Sequence, residues 1–160
     1  MLLSKTLASG LGFGITSAVI TTLGLMIGLN ASTGSKMVVI GGILTIAIAD
    51  SLSDALGVHV SKETEVGVKQ REVWEATGFT FIFKFLFALT FLIPIFLLPL
   101  QTAIIVNVVW GLSVLSLLTF RLARAENQSR FESLAEHLGV AIAVLIATNY
   151  LGNLIARHFN

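Results

Sequence analysis

Five long apolar segments separated by short polar connections constrain this chain more than any other feature. Each extends over about 20 residues, the length that an α-helix needs to cross about 30 Å of hydrocarbon. Helices satisfy their own backbone hydrogen bonds, which open strands cannot do in lipid. The sequence therefore predicts an all-α integral membrane protein with one transmembrane domain over residues 1–160. We place the five spans at about 10–30, 37–60, 77–98, 102–120 and 134–156.

The composition supports the same class of protein. Hydrophobic residues make up 55% of the chain and charged residues 12%, whereas soluble domains carry about 25% charged residues. The net charge of +1 shows no excess of basic residues, whereas nucleic-acid binding requires a basic patch. The absence of cysteine excludes disulfides, thiolate metal sites and cysteine nucleophiles. We therefore expect membrane lipid, and no nucleic acid, as a partner.

The distribution of Lys and Arg predicts the orientation. The side of the membrane that holds the N-terminus carries seven basic residues, and the opposite side carries only Lys36 and Arg157. The seven are Lys5, Lys62, Lys69, Arg71, Arg121, Arg124 and Arg130. Because basic residues accumulate in cytoplasmic loops, the N-terminus is predicted to be cytoplasmic and the C-terminus external or lumenal. The membrane would be the plasma membrane in a prokaryote and an organelle membrane otherwise.

The third span combines two local signals. Phe79, Phe81 and Phe83 alternate as in a strand, but the length of the apolar segment favours a helix. Pro94 lies late in the span and lacks the N–H that a helix interior needs. We expect a helix that is kinked or loosened near Pro94.

Small residues are concentrated in the first two spans. Gly24 and Gly28 are four residues apart in the first, and Gly41, Ser53 and Gly57 lie in the second. Small side chains let helix backbones approach closely in lipid. The sequence leaves open whether they pack helices within one subunit or form the seam of a dimer.

The acidic residues of the second span are the most informative polar residues. Asp50 and Asp54 are four residues apart and share one helical face, and each charge at the centre of a span costs about 2.5 kcal/mol or more. Lys84 lies at a depth similar to that of Asp54 at a rise of about 1.5 Å per residue. One interpretation is a buried Asp54–Lys84 ion pair without further function. It leaves Asp50 with no charged partner, which makes this carboxylate a candidate for cation or proton traffic.

Two further sets of residues give weaker signals. Hydroxyls of the first span, including Ser17 and Thr21, could line a path or bond back to helix carbonyls. The connection over residues 61–76 carries four glutamates, which could hold a hard cation on the cytoplasmic side or belong to a solvated linker. These are Glu63, Glu65, Glu72 and Glu75.

Residues 15–61 resemble the vacuolar iron transporter family, whose members carry ferrous iron and manganese and have five spans per subunit. The first span, Ser-Ala-Val-Ile-Thr-Thr-Leu-Gly at residues 17–24, is similar to the opening span of the family. The second span, from Ala49 to Gly57 and on to Ser61, resembles the family pattern Ser-Met-x-x-Gly-Glu-x-x-Ser. The resemblance implies a homodimer with a pore lined by the first two spans of each subunit. It also implies exchange of a divalent metal for protons.

This chain departs from the family pattern at the positions that matter for metal. Ser17 stands where the family commonly has an aspartate, the family methionine falls on Asp54, and the motif glutamate falls on Val58. The cytoplasmic insertion is also short, so most of the metal-collecting helices of the family are missing. A carboxylate in place of a thioether favours harder cations.

These observations predict a transporter of a divalent metal cation, iron-like or manganese-like and proton-coupled, with the metal as substrate and no resident cofactor. Asp50 and Asp54 would hold the cation, assisted by Ser17 and Thr21. The alternative is a membrane scaffold or assembly protein that shares the fold and does not transport. An intramembrane enzyme is disfavoured because both deep acids lie on one span, whereas membrane aspartyl proteases need acids from two spans. We therefore predict that the chain is not an enzyme.

Overall fold

The computed structural model describes the backbone of residues 5–125 and 129–159 and the side chains of residues 10–124 and 129–159. Every regular element in these ranges is an α-helix, as predicted. The helices are α1 (Lys5–Thr33), α2 (Lys36–Glu63), α3 (Gln70–Thr90), α4 (Leu92–Leu97), α5 (Leu100–Ala125) and α6 (Arg130–Phe159). Five helical segments, one of them α3 and α4 together, are long and apolar enough to cross a membrane. This architecture is consistent with an integral membrane protein.

The helices extend beyond the apolar segments from which the sequence predicted them. α2 ends at Glu63 and α3 begins at Gln70, so the predicted connection over residues 61–76 is reduced to six residues. Glu63, Glu72 and Glu75 consequently lie on helices. The apolar length marks only the part that lipid can surround, whereas a helix continues into water with polar residues. Residues 126–128, between the predicted fourth and fifth spans, lie outside the described residues.

The third span is interrupted near Pro94, as the sequence predicted. α3 ends at Thr90 and α4 begins at Leu92, so Pro94 occupies the first turn of a new helix, where its missing N–H is not needed. The carbonyl of Phe91 at the break accepts a hydrogen bond of 2.9 Å from Asn107 Nδ2. Asn107 is fully buried on α5. This buried side chain therefore donates a hydrogen bond to the backbone at the break between α3 and α4.

α1 is the central helix of the fold. It packs against α2, α3, α5 and α6. Val19, Leu23 and Met26 on α1 are fully buried and belong to the same apolar cluster as Phe91 and Leu115. An N-terminal helix surrounded on four sides must approach its neighbours closely, which explains its many small residues.

The space beside the glycines of α1 is occupied by neighbouring helices. A Cβ atom at Gly14 would lie 3.0 Å from the carbonyl oxygen of Thr80 and 3.2 Å from the backbone nitrogen of Lys84, both on α3. A Cβ at Gly24 would lie 2.8 Å from Val144 Cγ1 on α6. For α1, the structure therefore favours packing within one subunit over the seam of a dimer.

α2 has the opposite arrangement. One of its faces is buried against the rest of the fold, as shown by Val39, Ile43 and Ser51. On another face, a Cβ at Gly41 or Gly57 would meet no heavy atom within 4 Å. This face consists of small exposed residues at intervals of four, namely Gly41, Thr45, Ala49, Ser53 and Gly57. We call it the open α2 face.

A candidate cation site between α1, α2 and α3

Lys84 is the centre of a polar cluster inside the helix bundle. Its side chain is 2% exposed, although it carries an ammonium group. The close approach of α3 to Gly14 brings the backbone of Lys84 against α1. The side chain consequently reaches the space between α1 and α2, where its polar contacts lie.

Three oxygen atoms from two helices surround the Lys84 ammonium. Nζ lies 2.5 Å from Asp50 Oδ2, donates to Ser17 Oγ at 2.8 Å, and donates a short hydrogen bond to Asp54 Oδ2. The Ser17 hydroxyl in turn donates to Asp54 Oδ2 at 2.6 Å. The predicted Asp54–Lys84 ion pair is therefore present. Three of the four residues predicted to handle the cation meet at one point.

The expectation that Asp50 has no charged partner is wrong. Asp50 and Asp54 are one helical turn apart, about 5.4 Å along the axis, so one ammonium group between them can contact both carboxylates. The contact of Asp50 Oδ2 with Lys84 lacks the geometry of a hydrogen bond, and this buried oxygen has no other partner. With both carboxylates ionised, the cluster carries one more negative than positive charge.

Neither carboxylate is sealed from its surroundings, because each lines a cleft. The side chain of Asp50 is 27% exposed and lines a cleft of about 610 Å³ with Leu25, Leu29, Gly42 and Thr45. We call it the N-terminal cleft, because these α2 residues precede Asp50. It is bounded by α1 and α2.

The second cleft lies toward the other end of α2. The side chain of Asp54 is 22% exposed and lines a cleft of about 580 Å³ with Phe13, Gly57, Lys62 and Glu65. We call it the C-terminal cleft. The two acids therefore open toward opposite ends of α2, with the Lys84 ammonium in contact with both.

The side chain of Thr21 makes no hydrogen bond to the side chains of the cluster around Lys84. Its hydroxyl donates to the carbonyl oxygen of Ser17 at 2.9 Å, which is the back-bonding that the sequence left open as an alternative. Two hydroxyls near the cluster, those of Ser51 and Thr80, were not predicted from the sequence and are buried without a hydrogen-bond partner. Ser51 follows Asp50 and Thr80 lies one turn before Lys84. Spacing along the helices was the only sequence signal that could have found them.

The four glutamates of the predicted cytoplasmic site do not form one ligand set within the chain. Three of them contact a basic or imidazole side chain, namely Glu63 with His59 at 3.3 Å, Glu65 with Lys62 at 2.7 Å and Glu75 with Arg71 at 2.7 Å. Glu72 is exposed on the first turn of α3. In the part of the chain with described side chains, no three His, Cys, Asp or Glu residues converge as a metal site. A metal held at these glutamates would need water or a second subunit for further ligands.

Comparisons with models of protein families, with curated proteins and with solved structures found no match.

Proposed function

We propose that the chain is an integral membrane transporter of a divalent cation whose path runs along α2 past Asp54 and Asp50. The observation that carries the proposal is that two carboxylates within the bundle are each partly exposed, and each opens to a different cleft. A structural ion pair needs no such access. A cation path needs it from both ends.

The charge of the cluster supports the same function. With both carboxylates ionised, one ammonium compensates only one of them, and an uncompensated charge at the centre of a span costs about 2.5 kcal/mol or more. A bound cation or proton would remove that cost. Carboxylate and hydroxyl oxygens are ligands that suit Mg, Ca and Mn. The resemblance to the vacuolar iron transporter family supports iron or manganese as the cargo and protons as the counter-substrate.

We also propose that the working unit is a homodimer joined along the open α2 face. In support, Gly41 and Gly57 have open space where the glycines of α1 have neighbours. Asp50 and Asp54 directly follow Ala49 and Ser53 of this face. A second copy would therefore place its own acids next to those of the first and add the ligands that one chain lacks.

Uptake of Mn²⁺ into liposomes that contain the purified protein tests the transport proposal. Wild-type protein is expected to accelerate uptake. A proton gradient that drives protons out of the liposomes, opposite to the movement of Mn²⁺, is expected to increase the rate further. Asp50→Asn keeps the size of the side chain and removes its charge, so uptake is expected to fall to the rate of protein-free liposomes. The matched control is Glu132→Gln, which removes an exposed carboxylate at the start of α6 and is expected to leave uptake unchanged. Wild-type uptake in Asp50→Asn would refute the mechanism.

A non-transporting membrane scaffold is the second candidate. It is favoured by one observation, namely that Lys84 contacts both deep acids and leaves neither without a positive partner. A scaffold would show no uptake of Mn²⁺ in any variant. Asp50→Asn would then change only the stability of the fold.

A further inference from the structure

Lys84 occupies the position that a transported cation would need. Its ammonium has the two carboxylates and the Ser17 hydroxyl as neighbours, and these are oxygens of the kind that a hard cation binds. An ammonium and a metal ion cannot both fill this space.

The position of Lys84 also lies between the two clefts. Asp50 lines the N-terminal cleft and Asp54 lines the C-terminal cleft, and Nζ contacts both side chains. The lysine itself is buried and lines neither cleft. A cation that moves from one cleft to the other along the carboxylates must therefore pass the ammonium.

We propose that Lys84 is a tethered competitor for the cation site, so that a cation binds to Asp50 and Asp54 only when the ammonium is displaced from them. This inference rests on the proposed function and adds the residue that controls access of the cation to its site. While the ammonium occupies the site, the negative charge of the carboxylates is partly compensated and the path is closed. The lysine thereby lowers the affinity for the cation and prevents a tightly bound ion from blocking the path, since conduction needs a site that releases its ion.

Equilibrium binding of Mn²⁺ to the purified protein in detergent, followed by the electron paramagnetic resonance signal of free Mn²⁺, tests the competition. If the ammonium leaves the site free about a tenth of the time or less, its removal tightens binding about tenfold or more. Lys84→Met, which keeps an unbranched side chain without charge, is therefore expected to lower the dissociation constant by that factor. Lys84→Arg keeps the positive charge and is expected to give no such decrease. The matched control is Lys69→Met, which removes an exposed lysine before α3 and leaves binding unchanged.

Uptake into liposomes supplies the second readout. In Lys84→Met, the Mn²⁺ concentration for half-maximal uptake is expected to fall, while the maximal rate falls because release becomes slow. A lysine that only stabilises the fold would reduce the amount of active protein, and therefore the maximal rate, without lowering the half-maximal concentration. The opposite changes in the two parameters thus separate competition from a structural role.

A second pair of variants covers the case in which Lys84→Met does not fold because two carboxylates lose their partner. Asp54→Asn removes one carboxylate, and Asp54→Asn with Lys84→Met removes the ammonium as well, which leaves the cluster with the same net charge as in the wild type. The double variant is expected to bind Mn²⁺ about tenfold more tightly than Asp54→Asn alone.

The possible results separate the inference from the proposed function. If wild-type protein takes up Mn²⁺ and removal of Lys84 leaves the dissociation constant unchanged or higher in both backgrounds, the competition is refuted and transport stands. If the wild type neither binds nor takes up Mn²⁺ and the lysine variants do not bind it either, both proposals are refuted together.

Discussion

α1 and α2 are both rich in small residues. The glycines of α1 pack against other helices of the same subunit, whereas α2 has one face of small residues that no other helix covers. The glycines of α1 from Gly10 to Gly28 lie against α3, α5 and α6, and an added Cβ at Gly14 would lie 3.0 Å from a backbone oxygen of α3. Gly41 and Gly57 of α2 face open space. The same residue type therefore serves internal packing on the central helix and leaves a surface free on the peripheral one. The polar site lies where the two helices meet.

Because the glycines of α1 are closely packed, a larger side chain at one of them is expected to lower the stability of the fold strongly. Gly14→Leu would push α3 away from α1 and, with it, the backbone of Lys84, so the free energy of unfolding is expected to fall by about 1–3 kcal/mol. The control is Gly139→Leu on α6, where a Cβ meets no heavy atom within 4 Å. Thermal unfolding in detergent measures both variants. Equal stability of the two would contradict the close packing of α1.

The same comparison predicts the reverse result for α2. Gly57→Leu meets open space within the subunit, so its unfolding free energy is expected to change by no more than about 0.5 kcal/mol. A bulky side chain on the open α2 face should instead convert dimers to monomers, as analytical ultracentrifugation in detergent would show. A dimer that survives Gly57→Leu would place the subunit contact elsewhere.

A smaller difference is expected between two hydroxyls of α1. Ser17 bonds to Asp54 and Lys84, whereas Thr21 donates to its own helix. A hydrogen bond contributes about 1 kcal/mol net. Because Ser17 is proposed to assist the carboxylates in holding the cation, Ser17→Ala is expected to raise the dissociation constant for Mn²⁺ about fivefold. Thr21→Val is the matched control and should leave that constant unchanged. Equal responses of the two variants would remove Ser17 from the site.

Much of the fold could be predicted from the sequence because lipid imposes simple rules. The length of the apolar segments predicted the helices, and the missing N–H of Pro94 predicted the interruption that the structure places at Phe91. The ends of the helices could not be predicted in this way, since polar residues such as Glu63 and Glu72 continue a helix outside the apolar segment.

The candidate site was predicted in part. A comparison of depths, at about 1.5 Å per residue, was enough to pair Lys84 with Asp54. It missed the contact with Asp50 because depth along a helix does not describe the reach of a long side chain toward the next turn. The pattern of glycines likewise could not reveal which faces are covered, because coverage depends on how the helices are arranged around α1.

We propose that Asp50 and Asp54 form a cation site that Lys84 occupies in the absence of the cation. A structure of the protein with bound Mn²⁺, located by its anomalous scattering, is the decisive experiment. We expect an anomalous peak between the two carboxylates at the position of the ammonium, with the Lys84 side chain moved away. A structure at saturating Mn²⁺ that shows Lys84 still between the carboxylates, and no peak beside them, would contradict it.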